Sequence, residues 1–502
     1  MERVEPWDEH NRALVEQVRP ASWQNPVPQG RYNLVAIGGG TAGLVAAVGA
    51  AALGGRVALV ERHLLGGDCL NYGCVPSKAL LRSARACHDA KMAHLLGCRT
   101  GQAEPDFPSI MQRMRRLRAG IARHDAAERL RSLGIDVYFG TARFCERQAL
   151  EVAGQRLEFH RAVIATGSRP LIPALDGLEQ TAYLTSESIF SLERLPGSLI
   201  VLGGGPIGCE LGQAFRRFGC QVHLVSRGDR LLRREEPEAS SLLEAQLARE
   251  GVHLYLGWQA VCVERMGSAY SLTIERAGTR QKLVAEAMLV AVGRRANVEG
   301  LDCERAGVVC DEQGVRVNER LQTTNRAVYA AGDVCSEYKF THAADAMARI
   351  CVQNALFLGR RSVNALLIPR CTYTDPEVAQ VGLTAARARQ LGVRLDTFCE
   401  TLDHVDRALL DGEAEGLAML HVLRGTDRIV GATLVARHAG EMIGEISLAI
   451  ARRVGLNAFS HVIHCYPTQA EVWKRLGDQY QRTRLTPRLT RLARAWLAWL
   501  RR

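Results

Sequence analysis

The strongest constraint on the fold of this chain is a glycine pattern, G-x-G-x-x-G, that occurs twice. In the first copy the glycines are Gly38, Gly40 and Gly43. They stand between an apolar run that predicts a strand, Leu34–Ile37, and an alanine-rich run that predicts a helix, Ala42–Leu53. The first glycine permits the turn, the second admits backbone amides to a pyrophosphate, and the third lets helix and strand pack closely. The next predicted strand ends on Glu61, whose carboxylate can accept hydrogen bonds from an adenosine ribose.

The second copy of the pattern predicts a second dinucleotide site. Its glycines are Gly203, Gly205 and Gly208, and they lie 165 positions after those of the first copy. The strand that follows this copy ends in Arg227, where a site for NAD usually carries an acid. Arg227 and Arg233 can bind the 2′-phosphate of NADPH, so we expect NADPH rather than NADH. The alternative is that both arginines belong to a solvated surface run.

Two cysteines close together between the glycine patterns indicate redox chemistry. Cys69 and Cys74 are separated by four residues, and Pro76 and Lys78 follow them. Cysteines at this spacing at the start of a helix can close a small disulfide, and the helix terminus lowers the pKa of a thiolate. Lys78 lies one helical turn beyond Cys74, where its ammonium can stabilise a thiolate or a reduced cofactor. Two ordinary core cysteines in a reducing cell are the alternative.

Composition excludes several other classes of protein. The chain has 502 residues, enough for about three domains, and its 47% hydrophobic and 23% charged residues are typical of a globular protein. This balance argues against a disordered chain and against a polytopic membrane protein. The 15 cysteines are an odd number and mostly scattered singly, so we expect no disulfide framework, no resident metal and a reducing cytoplasm. The N-terminus lacks the apolar run of a secretory signal.

Together the motifs resemble those of the class I pyridine nucleotide-disulfide oxidoreductases, and residues 33–477 carry the resemblance. Further matching segments are Ala165–Pro170, Ala291–Leu301, Thr323–Val334 and the sequence YTDPEVAQVGLT. The resemblance implies an α/β fold with two Rossmann-like dinucleotide-binding domains, for FAD and NAD(P), and an α+β C-terminal dimerisation domain. It therefore also implies a homodimer.

The expected division of the chain follows from the motifs and the resemblance. The segments are an N-terminal extension (1–29), the first part of the FAD-binding domain (30–170), the NAD(P)-binding domain (171–297), the second part of the FAD-binding domain (298–365), the interface domain (366–480) and a basic amphipathic tail (481–502). We expect the N-terminal extension to pack loosely or not at all, because it shows no clear periodicity and ends in prolines and a glycine.

The resemblance also implies roles for individual residues. It implies FAD at the first glycine loop, with Asp333 on the ribityl chain, and NADPH at the second loop. Cys74 resembles the thiol that faces the flavin, and Cys69 resembles the interchange thiol that meets substrate. Glu210 resembles the carboxylate that pairs with Lys78. The remaining expected cofactor-binding positions are Gly167, Gly293 and Ala343.

The C-terminal part departs from the disulfide reductases of this family. Those enzymes carry a histidine as acid–base, with a glutamate five residues later to orient it. Here Tyr466 occupies the position of the histidine, and Glu471 is the glutamate. A phenol with a pKa near 10 is a poor base at neutral pH compared with imidazole, whose pKa is near 6.5. His464 is the alternative proton carrier, and Cys465 is either an extra thiol near the pocket or buried filler.

The departure at Tyr466 favours a branch similar to mercuric reductase, which also carries a tyrosine five residues before the glutamate. The segment with Asp406 and Glu413 also looks like that branch. We therefore expect an FAD-dependent NADPH oxidoreductase that uses a redox-active disulfide to reduce a small sulfur- or metal-containing electrophile. A dihydrolipoamide dehydrogenase or a glutathione-reductase-like disulfide reductase is the alternative. The paired cysteines that pass metal inward in mercuric reductases, at the N-terminus and at the C-terminal end, are absent from the sequence.

The C-terminal tail carries most of the net charge of +11. Residues 481–502 hold seven arginines and no acid, which leaves +4 for the rest of the chain, so we expect no nucleic-acid partner. Residues 485–502 predict a helix whose apolar stripe is formed by Leu485, Leu489, Leu492, Trp496 and Trp499. Such a helix can lie in a membrane interface, or it can dock on its own subunit. A flavoprotein recruited to membranes or nucleic acid is the alternative of another class.

Overall fold

The computed structural model describes residues 4–99, 101, 104–357 and 359–501. In these ranges the helices are α1 (Glu9–Val18), α2 (Thr41–Ala52), α3 (Gly67–Asn71), α4 (Cys74–Met92), α5 (Phe107–Ala122), α6 (Ala127–Ser132), α7 (Pro206–Arg217), α8 (Pro237–Arg249), α9 (Thr341–Leu356), α10 (Ala385–Gln390), α11 (Asp406–Asp411), α12 (Ala439–Arg452), α13 (Leu456–Phe459), α14 (Glu471–Thr483) and α15 (Pro487–Trp499).

The strands of the described residues fall into parallel and antiparallel sheets. They are β1 (Tyr32–Ile37), β2 (Val57–Glu61), β3 (Ile135–Phe139), β4 (Arg143–Glu146), β5 (Ala149–Val152), β6 (Gln155–Ile164), β7 (Ser168–Pro170), β8 (Ser198–Leu202), β9 (Gln221–Ser226), β10 (His253–Leu256), β11 (Gln259–Met266), β12 (Ala269–Arg276), β13 (Thr279–Ala285), β14 (Ala287–Val290), β15 (Arg294–Ala296), β16 (Cys310–Asp311), β17 (Gly314–Val315), β18 (Val328–Ala330), β19 (Arg370–Thr372), β20 (Glu377–Gly382), β21 (Leu395–Thr401), β22 (Leu417–Leu423) and β23 (Ile429–Ala436).

The chain forms two compact units. One comprises Met1–Asp229 with Glu250–Leu366, and the other comprises Arg230–Arg249 with Leu367–Arg502. The first unit contains both predicted strand–helix–strand motifs, and the second contains a sheet of different architecture. The finer division into FAD-binding and NAD(P)-binding segments stays a prediction.

Two sheets carry the glycine loops of the first unit, and in the larger one β4 and β5 form an antiparallel extension of the parallel strands at β6. In the larger sheet the order is β3-β2-β1-β6-β5-β4, with β18 also on β6, and β1 pairs in parallel with β2 and β6. The second sheet has the order β10-β9-β8-β14 and is parallel throughout. Parallel strands end at one edge of their sheet, so the segments after β1, β6 and β18 meet there. The antiparallel sheet β11-β12-β13 is a further layer of this unit.

The second unit is built on one antiparallel sheet with the order β19-β20-β23-β22-β21. Helix α12 packs on β20 and β23, and its apolar face meets the fully buried Trp473 of α14 in a common core. Polar side-chain contacts attach the segment 230–249 to the sheet of this unit, because Glu235 pairs with Arg370 at 2.6 Å and the buried Glu236 and His421 side chains lie 3.0 Å apart. This mixed helix and sheet arrangement fits the expected α+β domain, and the α/β fold class is confirmed.

The expectation that the N-terminal extension packs loosely is wrong. Its residues form α1, which packs on α5 with Leu14 and Val18 fully buried. Asp8 caps this helix by accepting a hydrogen bond from the backbone amide of Asn11 at 2.8 Å. Further along, the Asn25 side chain exchanges hydrogen bonds of 2.8 and 2.9 Å with the backbone of Phe139 at the end of β3. The extension is therefore anchored in part by polar contacts, which hydrophobic periodicity in the sequence does not reveal.

The C-terminal tail forms α15, and none of its described residues is buried. Thr486 caps the helix, and the side chains of the predicted apolar stripe are all exposed. In the described residues, the tail therefore does not dock on its own subunit. Arg502, the last of the tail arginines, lies outside the described residues. Over the described ranges, no helix combines the length and apolar character needed to cross a bilayer.

Candidate active site

The first glycine loop has a geometry that side chains would block. Gly38 has a φ of +112°, and a Cβ there would lie 2.4 Å from the carbonyl oxygen of Ala165. A Cβ at Gly43 would lie 1.7 Å from the carbonyl oxygen of Gly38, so α2 could not approach β1 as it does. Gly40 stands at the N-cap of α2, where the backbone amides are free to face an anion. These features fit a dinucleotide pyrophosphate.

Glu61 stabilises this loop from the neighbouring strand. Its carboxylate accepts hydrogen bonds of 2.6 Å from the backbone amides of Gly39 and His63. Burial raises the pKa of Glu61, and the two amide hydrogen bonds oppose that rise. Each carboxylate oxygen has a second lone pair, so Glu61 retains acceptors for ribose hydroxyls. The donor set therefore fits the adenosine end of FAD.

The second glycine loop repeats the geometry of the first. Gly203 has a φ of +121°, and a Cβ at Gly208 would lie 1.9 Å from the carbonyl oxygen of Gly203. Gly205 stands at the N-cap of α7 with no atom within 4 Å of its Cβ position, so the approach to the helix terminus is open. Arg227 follows β9 and is exposed, and its guanidinium makes no hydrogen bond or ion pair to any described residue. Arg233 is also exposed and belongs to the second unit.

Cys69 and Cys74 are free thiols that differ sharply in acidity. Cys69 lies in α3 and Cys74 is the first residue of α4. The hydrogen bond between the two thiols lowers the pKa of Cys74 to about 6, burial opposes this effect, and Thr341 and Lys78 add to it. The same hydrogen bond, together with burial, raises the pKa of Cys69. In this dithiol state Cys74 is therefore a thiolate at neutral pH, and Cys69 keeps its proton.

Two further contacts surround the Cys74 thiol. Its Sγ lies 3.4 Å from the hydroxyl oxygen of Thr341, the first residue of α9. Lys78, one turn along α4, donates a hydrogen bond of 2.7 Å to the carboxylate of Glu210 in α7. Glu210 is buried whereas Lys78 is half-buried, so the ion pair brings the ammonium to the edge of the site. Thr341 was not among the predicted site residues, because nothing in the local sequence pattern indicates a partner 267 positions away.

A polar cluster surrounds Asp333 at the edge of the larger parallel sheet. Ser168 donates a 2.6 Å hydrogen bond to the Asp333 carboxylate, and Arg294 donates a 2.8 Å hydrogen bond to the Ser168 hydroxyl. Arg294 also pairs with Asp68 at 3.0 Å, next to Cys69 in the chain. Burial raises the pKa of Asp68, and Arg294 opposes that rise.

This cluster connects three of the sequence segments that resemble the oxidoreductase family. Gly167 and Gly293 adopt φ values of +68° and +148° beside it, and Ala343 is buried in α9. The contacts with Ser168 and Arg294 thus fix the Asp333 carboxylate at this edge of the sheet. Ser168 and Arg294 were not among the predicted site residues, although both lie within the matching segments Ala165–Pro170 and Ala291–Leu301.

Tyr466 lies in the second unit and is 72% exposed. Its hydroxyl donates a hydrogen bond of 2.8 Å to the carboxylate of Asp406, and this contact raises the pKa of the phenol. Arg407 donates to the carbonyl oxygen of Pro467 at 3.4 Å, so the segment that contains both residues lies against the tyrosine. In the sequence, this segment was singled out only by its resemblance to mercuric reductase. In the structure, Asp406 contacts Tyr466 directly.

The other expected proton carriers have partners of their own. Glu471 pairs with Arg475 at 3.5 Å through one oxygen, and its other oxygen is buried with no hydrogen bond to a described residue. His464 lies 3.2 Å from Glu445. Cys465 is exposed, which excludes the interpretation of this residue as buried filler.

The comparisons with known proteins agree with this geometry. Residues 32–348 match the pyridine nucleotide-disulphide oxidoreductase family, and residues 368–476 match the dimerisation domain of that family. The chain is 35% identical over 443 residues to the mercuric reductase of Staphylococcus aureus, covering 88% of this chain and 81% of that protein. It is 33% identical over 461 residues to the dihydrolipoyl dehydrogenase of Bacillus subtilis (strain 168), covering 88% and 96%.

A solved structure has the same fold over almost its whole length. The HOCl-induced flavoprotein disulfide reductase RclA from Escherichia coli is 27% identical, with a TM-score of 0.79 over 89% of this chain and 99% of that one. The protein is thus an enzyme and a disulfide oxidoreductase whose relatives use FAD and a pyridine nucleotide, and its dimerisation domain supports a homodimer. The chain belongs to the pyridine nucleotide-disulphide oxidoreductase family.

Proposed function

We propose that this enzyme is an NADPH-dependent flavoprotein, similar to mercuric reductase, that reduces a small sulfur- or metal-containing electrophile through Cys69 and Cys74. The observation that carries the proposal is the placement of two free cysteines at adjoining helices, Cys69 in α3 and Cys74 at the start of α4, where Thr341 lies 3.4 Å from the Cys74 sulfur and the pKa of Cys74 is lowered. The identity to mercuric reductases supports the branch, and the dihydrolipoyl dehydrogenases at similar identity make lipoamide the main competing substrate. The expected compartment is the cytoplasm.

In this proposal, each glycine loop binds one of the two cofactors. Gly38, Gly40 and Gly43 with Glu61 hold the adenosine and pyrophosphate of FAD, and Asp333 holds its ribityl chain. Gly203, Gly205 and Gly208 hold the pyrophosphate of NADPH. Bound FAD supplies the passage of two electrons from the nicotinamide to the disulfide. The further cofactor contacts in this proposal are Gly167, Gly293 and Ala343.

The thiols carry out the substrate half of the reaction. Cys69 attacks the electrophile, and its proton passes to the Cys74 thiolate along the hydrogen bond that joins them. With a disulfide substrate, one substrate thiolate leaves and Cys69 is held in a mixed disulfide. Cys74 then attacks the Cys69 sulfur and gives its proton to a departing thiolate, so the second substrate thiol leaves and the intramolecular disulfide closes. The net reaction consumes one NADPH and one proton for each disulfide, or for each mercuric dithiolate reduced to Hg(0) and two thiols.

The ion pair of Lys78 and Glu210 positions the ammonium in this proposal. The lysine contributes to the low pKa of Cys74, and the buried Glu210 carboxylate keeps its ammonium at one place. Tyr466 and Glu471 complete the proposed site as the segment that contacts substrate. Because Asp406 raises the pKa of the phenol, Tyr466 is a weaker base than the histidine of disulfide reductases.

A substrate screen tests the proposed function. Purified enzyme with NADPH is assayed against Hg(II) in excess thiol, oxidised glutathione, lipoamide and a small quinone oxidant. We expect mercuric turnover that Cys69→Ser and Cys74→Ser both abolish, with slow reduction of glutathione and lipoamide. Cys98→Ser, at an exposed cysteine to which no role is assigned, is the matched control and keeps the rate. Fast lipoamide turnover with no mercuric turnover would assign the enzyme to the competing class.

The choice of NADPH rests on Arg227 and Arg233. A hydrogen bond to a charged group contributes about 1.5–3 kcal/mol, so loss of the arginine contacts to the 2′-phosphate costs at least about tenfold in affinity. Replacing both by alanine should raise the KM for NADPH by that factor and leave the KM for NADH unchanged. Arg265→Ala, at an exposed arginine of β11, is the control. Equal use of NADH and NADPH by the unaltered enzyme contradicts the assignment.

A second candidate function is contact with a membrane surface through residues 485–502. The observation that favours it is that every side chain of the apolar stripe is exposed, including Trp496 and Trp499 of α15, whose rings lie 5.0 Å apart. The arginines between these residues have no acidic neighbour in the tail, so an anionic lipid surface complements the helix in charge as well as in polarity.

Vesicle sedimentation tests this second function. The enzyme is mixed with vesicles of phosphatidylcholine alone or of phosphatidylcholine with added anionic phosphatidylglycerol, whose negative surface attracts basic segments. We expect binding only to the anionic vesicles, with loss on replacing Trp496 and Trp499 by alanine. Leu410→Ala, at an exposed leucine outside the tail, is the control. Equal binding by the tryptophan variant, or none by the full chain, contradicts membrane contact.

A further inference from the structure

The segment that joins the two active-site cysteines is held by a buried arginine. Arg118, in the middle of α5, donates a hydrogen bond of 2.7 Å to the backbone carbonyl of Asn71, which lies between Cys69 and Cys74. The same guanidinium donates a hydrogen bond of 2.6 Å to the side-chain oxygen of Asn11 in α1. One side chain therefore connects the N-terminal helix with the redox-active segment.

Because Arg118 is buried, its charged side chain needs hydrogen-bond partners within the protein. Arg118 is only 2% exposed, and burial lowers its pKa to about 10, so the guanidinium is still charged at neutral pH. A buried charge is costly unless it is hydrogen-bonded. Nη1 and Nη2 of Arg118 donate to the Asn71 and Asn11 oxygens, whereas its buried Nε has no hydrogen-bond partner among the described residues. The Asn71 side chain in turn donates to the carbonyl oxygens of Leu65 and Gly67, at 3.1 and 2.8 Å. Asn71 is thus fixed by its carbonyl and by its amide group.

The N-terminal helix is itself anchored beside this contact. The Asn11 amide group donates a hydrogen bond of 2.7 Å to the carbonyl oxygen of Pro6, which orients the Asn11 oxygen that faces Arg118. Asp8 pairs with Arg115, one turn before Arg118 on α5, at 2.5 Å. Two arginines of α5 therefore bind α1, but among the described residues only Arg118 also reaches the cysteine segment.

We propose that Arg118 and Asn11 are positioning residues of the redox centre, which hold the backbone between Cys69 and Cys74 so that the two thiols face each other. The proposal rests on the proposed role of these cysteines. The N-terminal helix is accordingly a part of the active-site support, and a substrate does not contact it. Positioning acts through geometry, because only four residues separate the cysteines and Asn71 lies at the turn between their helices.

The consequence concerns the acidity of Cys74. The hydrogen bond from Cys69 is the largest cause of the low pKa of Cys74, and it depends on the relative placement of α3 and the first turn of α4. Without Arg118 the Asn71 carbonyl loses its donor, and the segment samples conformations in which the thiols separate. The pKa of Cys74 then rises toward its ordinary value. Loss of about one hydrogen bond to a charged group corresponds to a rise of about one unit.

The test uses the complete FAD enzyme and a spectroscopic readout. The two-electron-reduced enzyme is titrated with acid, and the long-wavelength charge-transfer absorbance reports the Cys74 thiolate. Arg118→Met removes both donors, and Arg118→Lys keeps a positive charge but lacks the planar guanidinium fork that binds the two acceptors. We expect the midpoint of the absorbance titration to rise by about one pH unit in both variants. The rate of alkylation of Cys74 by iodoacetamide should show the same displacement without the flavin as reporter.

Arg115→Met is the matched control. Arg115 is also buried on α5 and also binds α1, so its loss lowers the midpoint of thermal unfolding, yet the titration of Cys74 should remain as in the unaltered enzyme. Asn11→Ala keeps Arg118 and is the milder variant to use if Arg118→Met does not fold, and its titration should move in the same direction.

The outcomes separate this inference from the proposed function. Unchanged midpoints in Arg118→Lys and Asn11→Ala, with a normal charge-transfer absorbance in the unaltered enzyme, overturn the positioning role and leave the proposed function standing. An equal displacement in Arg115→Met also overturns it, since docking of α1 as a whole would then be the cause. If the unaltered enzyme shows no Cys74-dependent absorbance, the proposed role of the cysteines fails first.

Discussion

The two active-site thiols have opposite acidities because a single hydrogen bond joins them. The proton held by Cys69 stabilises the charge on Cys74, so the pKa of Cys74 falls to about 6 while that of Cys69 rises. Burial acts against the charged form of both thiols and is overcome only at Cys74. At the scale of single residues, the proposed roles of Cys74 as the flavin-facing thiolate and of Cys69 as the substrate-facing thiol follow from this asymmetry.

A first prediction concerns the pH dependence of this pair. A lowered pKa means that the thiolate is present above that value and is lost as the pH falls through it. The charge-transfer absorbance of the two-electron-reduced enzyme should therefore be constant at neutral pH and fall to half near pH 6. Cys74→Ser should abolish the absorbance, whereas Cys69→Ser should keep it. Absorbance that survives in Cys74→Ser and disappears in Cys69→Ser would reverse the proposed roles.

A second prediction concerns Tyr466. Acid–base assistance contributes roughly 10²–10⁴-fold to a rate, and the phenol, with its pKa raised by Asp406, cannot give it at neutral pH. Tyr466→His, with Glu471 retained, should increase turnover of oxidised glutathione or lipoamide by about tenfold or more. Tyr466→Phe should leave that turnover unchanged. Fast disulfide turnover by the unaltered enzyme would instead point to another base, of which His464 is the first to test.

At the scale of elements, periodicity and glycine spacing were sufficient for the two nucleotide-binding units. The predicted strand Leu34–Ile37 is observed as β1, and the predicted helix Ala42–Leu53 as α2, each within two residues at either end. Such elements are predictable because each combines an apolar period with a local stop signal.

Other elements could not be predicted from local pattern. Helix α1 was missed because buried polar partners on α5, in particular Arg118, help to hold it. The contact of Thr341 with Cys74 was missed for the same reason, since it joins positions 267 apart. The placement of Cys69, Cys74, Lys78 and Glu210 was anticipated through the family resemblance, whereas the Arg294 and Ser168 contacts of Asp333 required the fold.

A third prediction separates the two tasks of the second glycine loop. A Cβ at Gly208 would meet the Gly203 carbonyl oxygen at 1.9 Å, so Gly208→Ala forces α7 away from β8 and should lower the midpoint of thermal unfolding. Gly205 has a φ of −84° and open space at its Cβ position, so Gly205→Ala should fold normally. Its methyl group instead obstructs the pyrophosphate, and the KM for NADPH should rise. If Gly208→Ala and Gly205→Ala unfold at the same temperature, the two glycines do not have the separate tasks of helix packing and pyrophosphate binding.

At the scale of the whole molecule, the homodimerising enzyme and its basic tail are separable. The segment that matches the dimerisation domain ends at residue 476, and α15 follows it with none of its described residues buried. The tail therefore adds charge and apolar surface without adding to the core of the second unit. A protein with this arrangement can keep its catalytic dimer while a surface-binding segment is engaged or removed.

Limited digestion with trypsin provides the last prediction. The described arginines of α15 are exposed on a short terminal helix, so cleavage should occur first after residues 484–494. The remaining body should sediment as a dimer and retain its full rate of NADPH oxidation, because none of the proposed site residues lies in the tail. Anionic vesicles should slow this first cleavage, whereas phosphatidylcholine vesicles should not, since attraction to the arginines requires negative lipid. Loss of activity in step with tail cleavage would instead show that the tail supports the active site, and the proposed independence of the two would fail.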